Sequence, residues 1–293
     1  PLKKAHAALL FVRSIGHAKK AIKKFNPDIV VGFGGYPSAS AVQAAFGLKI
    51  KTMIHEQNSI IGLTNKILIK KVDQIVCCYQ KAYQEFPKEK TLLLGNPRAS
   101  VIVHEQPKDV YDEYHLDRQK KVVTIVMGSL GSQTVNQTMK ECMDQFKGKD
   151  YQVVYVSGKP YYESMKAYEN ENVHIVPYVN DMPSLMHITD LIVSRAGAST
   201  LAELTALGVP AILIPSPYVS ANHQEYNARE LVNNQAADMI LEKDLTGEKL
   251  ISTIDSIIND ESRLNVLKEN AQKLGKPNAL EDMYRVIVDM LGK

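Results

Sequence analysis

Ten short runs of β-branched and other apolar residues recur along the 293-residue chain, separated by stretches with helical spacing. The runs are Asp28–Phe33, Lys51–His55, Gln74–Cys78 and Thr91–Leu94, then Lys121–Met127, Gln152–Val156, Val173–Val176, Asp190–Ser194, Pro210–Pro215 and Ala236–Leu241. Helical stretches such as Ser38–Phe46, Gly62–Lys71, Thr134–Phe146 and Thr200–Leu207 lie between them. This alternation predicts parallel strands joined by right-handed crossovers. The runs are apolar throughout, as in sheets covered by helices on both faces. The expected class is α/β, with doubly wound parallel sheets. Between Asn96 and Lys121 the pattern lapses into polar residues with Pro97, Pro107 and the acidic cluster Asp109–Glu113. A linker is therefore expected at Gly95–Arg98, with Rossmann-like domains over 1–96 and 97–275. Gly275–Pro277 breaks the last pattern, leaving 276–293 with a separate amphipathic helix at Leu280–Leu291.

The length accommodates two domains of ~100–200 residues each. No apolar run approaches the ~20 residues of a membrane span, and no secretory leader pattern occurs. A cytoplasmic protein is expected, with Cys77, Cys78 and Cys142 as reduced thiols, since no CxxC pair is present. The net charge of +3 is too mild for a general nucleic-acid binder, but it is unevenly spread. Seven Lys or Arg and no Asp or Glu fall between Pro1 and Lys24. Leu9, Phe11, Val12 and Ile15 lie there among Lys3, Lys4, Arg13, Lys19, Lys20, Lys23 and Lys24. Apolar residues with a basic rim suit the interface of an anionic bilayer, and equally a surface helix with its stripe turned inward. The chain opens on Pro1 and a helix-like segment, whereas an α/β protein usually opens on a strand, so a preceding piece is expected.

Four further segments carry chemistry. Val122–Met127 runs into Gly128-Ser129-Leu130-Gly131-Ser132 and then a helix. Glycines there let a ligand approach the backbone, and a helix start favours an anion. The spacing is not GxGxxG, so a nicotinamide or flavin site is disfavoured; a tight turn without ligand uses the same residues. Asp190–Pro217 repeats the arrangement, with Arg195-Ala196-Gly197-Ala198 ahead of a helix near Ser199. Thr200 and Glu203 stand in capping-box relation; alternatively Ser199 and Thr200 donate to phosphate and Glu203 accepts from ribose hydroxyls. In Ser216–Ala228, His223, Gln224 and Asn227 can share a helix face or be merely solvated. In the first half, Gly32–Ser38 follows one run and His55-Glu56-Gln57-Asn58 the next. His55 and Glu56 are general-base candidates or a structural pair. Neither HExxH nor DxD occurs, so a zinc protease and a carboxylate clamp for a metal-diphosphate are both disfavoured.

Taken together, GFGGYPS, HEQNxxxGLTNK, GNPR, GSLGS, YVNDM, RAGASTLAEL and NHQEYNA follow the order and spacing of the MurG family. The chain resembles these peripheral membrane glycosyltransferases over essentially its whole length. The resemblance implies a glycosyltransferase B fold, with two Rossmann-like domains facing a cleft and the last helix crossing back to the first. It implies donor contacts by Arg98 and Ser129 to phosphate, and by Val179 to the uracil through its backbone. Ala198, Ser199 and Thr200 would meet the diphosphate, Glu203 the ribose, Gln224 the sugar hydroxyls, with Asn227 nearby and Asn58 reaching in from the first domain. His55, Glu56, Tyr36 and Asn65 would line the acceptor side. Family members begin with a strand and a GGTGGH-type loop carrying a candidate base; this chain starts later, so an incomplete first domain is expected.

The activity implied is transfer of N-acetylglucosamine from UDP-GlcNAc to the muramic acid 4-hydroxyl of lipid I, in peptidoglycan synthesis, with inversion. No metal or other cofactor is implied, and the partners are UDP-GlcNAc, lipid I, an anionic membrane surface and other cell-wall synthesis proteins, with no nucleic acid. The implied place is the cytoplasmic face of the bacterial membrane, with consequences for cell shape and division. Two alternatives stand beside this: a UDP-GlcNAc 2-epimerase or lipid glycosyltransferase of the same fold, and a non-catalytic nucleotide-sugar-binding protein.

Overall fold

A computed structural model describes residues 2–292, with side chains from Leu9 onward, so Lys3 and Lys4 contribute no side-chain observation. The chain forms two compact units, Pro1–Pro97 with Asn278–Lys293, and Arg98–Pro277. The first carries β1 (Ile29–Gly32), β2 (Lys51–Glu56), β3 (Gln74–Cys77) and β4 (Thr91–Leu93), parallel and in that spatial order. Its helices are α1 (Leu2–Phe25), α2 (Gly35–Gly47), α3 (Leu63–Leu68) and α4 (Gln80–Glu85).

The second unit holds α5 (Arg98–His104), β5 (Lys121–Val126), α6 (Gln133–Cys142), β6 (Tyr151–Val156), α7 (Tyr162–Met165) and β7 (Val173–Val176). It continues with α8 (Met182–His187), β8 (Leu191–Ser194), α9 (Ala198–Leu207), β9 (Ala211–Leu213), α10 (His223–Asn233), β10 (Asp238–Met239), α11 (Gly247–Ile258) and α12 (Glu261–Leu274). Its parallel strands lie in the order β10-β9-β8-β5-β6-β7. The direction of winding therefore reverses between β5 and β8, and ligands in such sheets sit beyond the strand ends at that reversal. Its core packs Val123, Ile125, Val153, Tyr155, Leu191 and Val193 against Met139, Phe146, Leu250 and Ile254, all essentially inaccessible. Each aliphatic chain so withdrawn contributes about 1.5–3 kcal/mol.

Finally α13 (Ala279–Met290) returns to the first unit. Successive residues of a strand face opposite ways. Accordingly Ile54 and Ile75 pack with Val42 and Leu68, while Met53 and Val76 pack with Met283 of α13.

All ten expected strands form, but β10 is only two residues long. The polar stretch after Asn96 contains an unforeseen helix, α5, which packs on α9 and buries Ala99, Ser100 and Ile102. Its run Val101-Ile102-Val103 is β-branched and a poor helix former; burial against α9 overrides that preference. The stretch Thr134–Phe146 divides into α6 and a 3₁₀ turn at Met143–Phe146. Helix α9 begins at Ala198 with Gly197 as its cap and no side-chain cap bond, so the capping box of Thr200 and Glu203 does not form.

On α1, Ile15, Ala18 and Ile22 pack on Ala44, Ala45 and Leu48. Ile15 thus belongs to the inward stripe and not to an exposed apolar face. Leu9 and Val12 are 57% and 64% exposed, Phe11 is half-buried, and Lys19 is exposed with its stem against Gly47. No helix among the described residues is long and apolar enough to cross a membrane.

Candidate active site

The two strands flanking the reversal end in glycine-bearing turns. After β5 comes Gly128–Gly131, and Ser132 then caps α6, its Oγ accepting the Val135 N–H at 3.4 Å. Gly131 has φ 71°, and a Cβ there would lie 2.2 Å from the Ser157 carbonyl oxygen. Reciprocally, Gly158 has φ 88°, and its Cβ would lie 2.5 Å from the Leu130 carbonyl oxygen. The turn after β5 and the turn after β6 therefore rest backbone on backbone, and only glycine fits at either contact. After β8, Arg195-Ala196-Gly197 leads into α9, whose first N–H groups receive no side-chain cap. Such unsatisfied donors, with the helix dipole behind them, favour an anion.

One partly buried side chain ties these turns together. The Arg195 guanidinium donates to the Ser132 Oγ at 2.8 Å and to the Ile214 carbonyl at 3.0 Å. It also pairs with Glu242 at 2.5 Å, the two side chains being only 13% and 5% exposed. Arg195 and its partners thereby brace the ends of β5, β8, β9 and the segment after β10. These are four neighbouring strands.

Over this brace lies a cleft in two connected parts. The first, about 370 Å³, is walled by Tyr178, Val179 and Met182, with Thr200 and Glu203 opposite. The second, about 520 Å³, is lined by the Gly128–Ser132 turn and by Ser216, Tyr218 and Val219. Met127, Gly128, Ser129, Arg195 and Gln224 border both. Glu203, one turn into α9, receives the Arg98 Nε and Nη2 at 2.7 and 2.5 Å on the same carboxylate oxygen. Gln224 holds the following loop, its Oε1 accepting the Ser216 N–H at 2.9 Å.

Five of the expected donor residues, Ser129, Val179, Thr200, Glu203 and Gln224, thus line one cleft. Arg98 joins it through Glu203, and Ala198 and Ser199 begin α9. Asn227 is wholly buried and lies behind the second turn, donating to the Ala196 carbonyl at 3.4 Å. His223 does not line the cleft; its Nδ1 meets the Ser220 carbonyl at 2.8 Å. Sequence reasoning passed over Arg195, Glu242, Tyr178, Met182 and Tyr218. Arg195 stands in a turn of otherwise small residues, and only the fold brings Glu242 to it.

In the first unit, His55 and Glu56 are withdrawn from solvent. The His55 Nε2 donates to the Gly95 carbonyl at 2.9 Å, with the Cys78 Sγ at 3.6 Å and the Phe33 ring packed alongside. Burial lowers its pKa below the ordinary imidazole value, against smaller opposing effects of the Gly95 bond and Glu56. Glu56 receives the Asn58 N–H and side-chain amide on one oxygen, at 3.0 and 3.4 Å. Its other oxygen receives the Gly62 N–H at 2.9 Å and the Asn65 amide at 2.8 Å. Asn65, also buried, donates in addition to the His55 carbonyl at 3.2 Å. His55 and Glu56 are thus built into the framework beneath the 57–65 loop, with four hydrogen bonds on the Glu56 carboxylate. Asn58 is held in that network, and Tyr36 stands 81% exposed at the start of α2.

Two parallel-sheet units, the second with a cleft at its own reversal point, have the architecture of the glycosyltransferase B fold. Residues 2–77 match the glycosyltransferase family 28 N-terminal domain and residues 122–283 the glycosyltransferase family 28 C-terminal domain. A Bacillus cereus UDP-N-acetylglucosamine–N-acetylmuramyl-(pentapeptide) pyrophosphoryl-undecaprenol N-acetylglucosamine transferase is 44% identical over 288 residues, covering 97% of this chain and 79% of that protein. A Listeria monocytogenes transferase of the same name is 42% identical, covering 99% and 81%. The crystal structure of Acinetobacter baumannii MurG superposes with a TM-score of 0.81 at 27% identity, covering 97% and 79%. A Neisseria meningitidis UDP-GlcNAc 2-epimerase shares the fold alone, with a TM-score of 0.69 at 13% identity and coverage of 96% and 81%. The chain belongs to the MurG family of N-acetylglucosaminyltransferases.

Proposed function

We propose that the protein transfers N-acetylglucosamine from UDP-GlcNAc to the 4-hydroxyl of the N-acetylmuramic acid of lipid I, with inversion, in peptidoglycan synthesis. The observation that carries this reading is the cleft itself, where two anion-ready turns, a carboxylate and an apolar wall converge. The uracil enters beside Val179 between Tyr178 and Met182, the ribose hydroxyls bond to Glu203, and the diphosphate lies across the starts of α6 and α9. In the reaction the acceptor O4–C1 bond forms as the C1–O bond to UDP breaks on the opposite face, and the hydroxyl proton passes to a base. Charge accumulating on the departing UDP is met by turn N–H groups and by Arg98, fixed donors of the kind that lower such barriers most. Arg195 keeps the two turns in register. No metal takes part in this proposal, so EDTA should leave turnover unchanged.

In the first unit His55, Glu56 and Asn65 act by positioning the 57–65 loop, with Tyr36 and Asn58 presented for acceptor or donor. Leu9 and Val12 with the lysines of α1 suit a peripheral seat on an anionic membrane, at its cytoplasmic face, beside other enzymes of wall growth and division. Co-sedimentation with anionic vesicles tests that seat. Calorimetric titration with UDP-GlcNAc, UDP-glucose and UDP-GalNAc, followed by turnover on a lipid I analogue, tests the reaction. Selective binding of UDP-GlcNAc with transfer is expected. Equal binding of all three sugars, or conversion of UDP-GlcNAc to an epimer, would remove this reading.

A further inference from the structure

The two most exposed large apolar side chains described in the second unit are Tyr218, at 83%, and Leu130, at 74%. Both line the same part of the cleft, the one continuous with the diphosphate turns. The rest of that lining is Met127 and Val219 with Gly, Ser, Thr, Gln and Arg residues. Exposed apolar side chains scattered singly carry no message, but two bordering one ligand-sized cavity mark a contact surface.

The loop presenting Tyr218 is also held under strain. Ala221 and Asn222 both have left-handed backbones, φ 53° and 52°, in consecutive positions without glycine. Such conformations persist only where the surroundings over-determine them, and they cluster at ligand sites. Here the restraints are the Gln224–Ser216 bond at 2.9 Å and the His223 ring on the Ser220 carbonyl at 2.8 Å.

We infer that Tyr218 and Leu130 form an apolar clamp for the N-acetylhexosamine ring of the donor. The inference rests on the nucleotide-sugar reading above and names how the sugar is gripped. A pyranose of the gluco configuration carries hydroxyls around its edge and C–H groups on its faces. An aromatic ring, large and amphipathic, offers a face to such C–H groups while its hydroxyl stays wet. Leu130, on the diphosphate turn, gives the acetamido methyl an apolar neighbour that a bare hexose would not use.

Calorimetry with UDP and UDP-GlcNAc on the full chain separates the outcomes. Tyr218→Ala should weaken UDP-GlcNAc about two- to tenfold, the usual worth of one aromatic contact, and leave UDP unchanged. Tyr218→Phe should bind both like the parent protein. Leu130→Ser should narrow the difference between UDP-GlcNAc and UDP-glucose. Equal loss of UDP and UDP-GlcNAc in Tyr218→Ala would mean that the loop had merely been deformed, and would overturn the clamp. Unchanged affinity for both ligands would overturn it as well. Failure of the parent protein to bind either ligand would instead count against the nucleotide-sugar reading itself.

Discussion

Replacing Glu203 by alanine tests how the cleft recognises a nucleoside. In the free protein the Glu203 carboxylate is 12% exposed and holds Arg98, whose own side chain is 46% exposed. An ion pair with one partner so open contributes at most about 1 kcal/mol to stability, so thermal stability should fall by only a few degrees. Binding should suffer more. Ribose hydroxyls donating to an ionised carboxylate contribute about 1.5–3 kcal/mol, but forming those bonds breaks the Arg98 contact. The net loss of roughly 0.5–3 kcal/mol corresponds to about 2- to 150-fold weaker UDP binding. Calorimetry with UDP and 2′-deoxy-UDP makes a cycle that isolates the hydroxyl contact. The parent protein should prefer UDP, and Glu203→Ala should lose that preference. Arg98→Ala should weaken UDP, by removing a phosphate contact, yet bind uridine at least as well as the parent. If Glu203→Ala still prefers UDP over its deoxy analogue, the carboxylate does not read the ribose, and its part is confined to holding Arg98.

Three other outcomes follow from buried groups. Glu242→Ala removes the carboxylate that pairs with Arg195 and should cost about 1–3 kcal/mol, read by denaturant unfolding; a loss under 1 kcal/mol would show that the brace is dispensable. His55 has a lowered pKa, so the unfolded chain binds its proton first. Its contribution to stability is complete above about pH 6.5 and declines as pH falls through the folded-state value. The slope of melting temperature against pH in that range should flatten in His55→Gln, and an unaltered slope would refute the assignment. Burial raises Cys77 to about 12, Cys142 to about 11, and Cys78 well above its usual range. None should react with a thiol reagent at pH 8 in the native protein, whereas all three should react once it is unfolded.

Strand positions and the two turns at the reversal were legible because they depend on local pattern: apolar runs of four to six residues, then small residues, then a helix. What escaped was decided by partners distant in sequence. Helix α5 is written in β-branched residues and exists because α9 covers it. Thr200 and Glu203 have the spacing of a cap, yet Gly197 starts the helix and Arg98 claims the carboxylate. His55-Glu56 has residue types suited to proton transfer, but the sequence does not show their surroundings. Their burial, and the four hydrogen bonds on Glu56, depend on how residues 57–65 fold back over them. Arg195 could be seen as a cation at a strand end, but its partner lies beyond two further strands.

The contact between Gly131 and Gly158 has a consequence for how such a site can change over generations. The cradle's position is inherited from the neighbouring strand's turn and not from the side chains that it displays. Leu130 can therefore be exchanged, shifting which sugar is preferred, while the backbone beneath it stays where it is. A side chain at either glycine would require the opposing turn to be rebuilt in the same step. Preference for the transferred group is open to gradual drift in this architecture, and the phosphate cradle is closed to it.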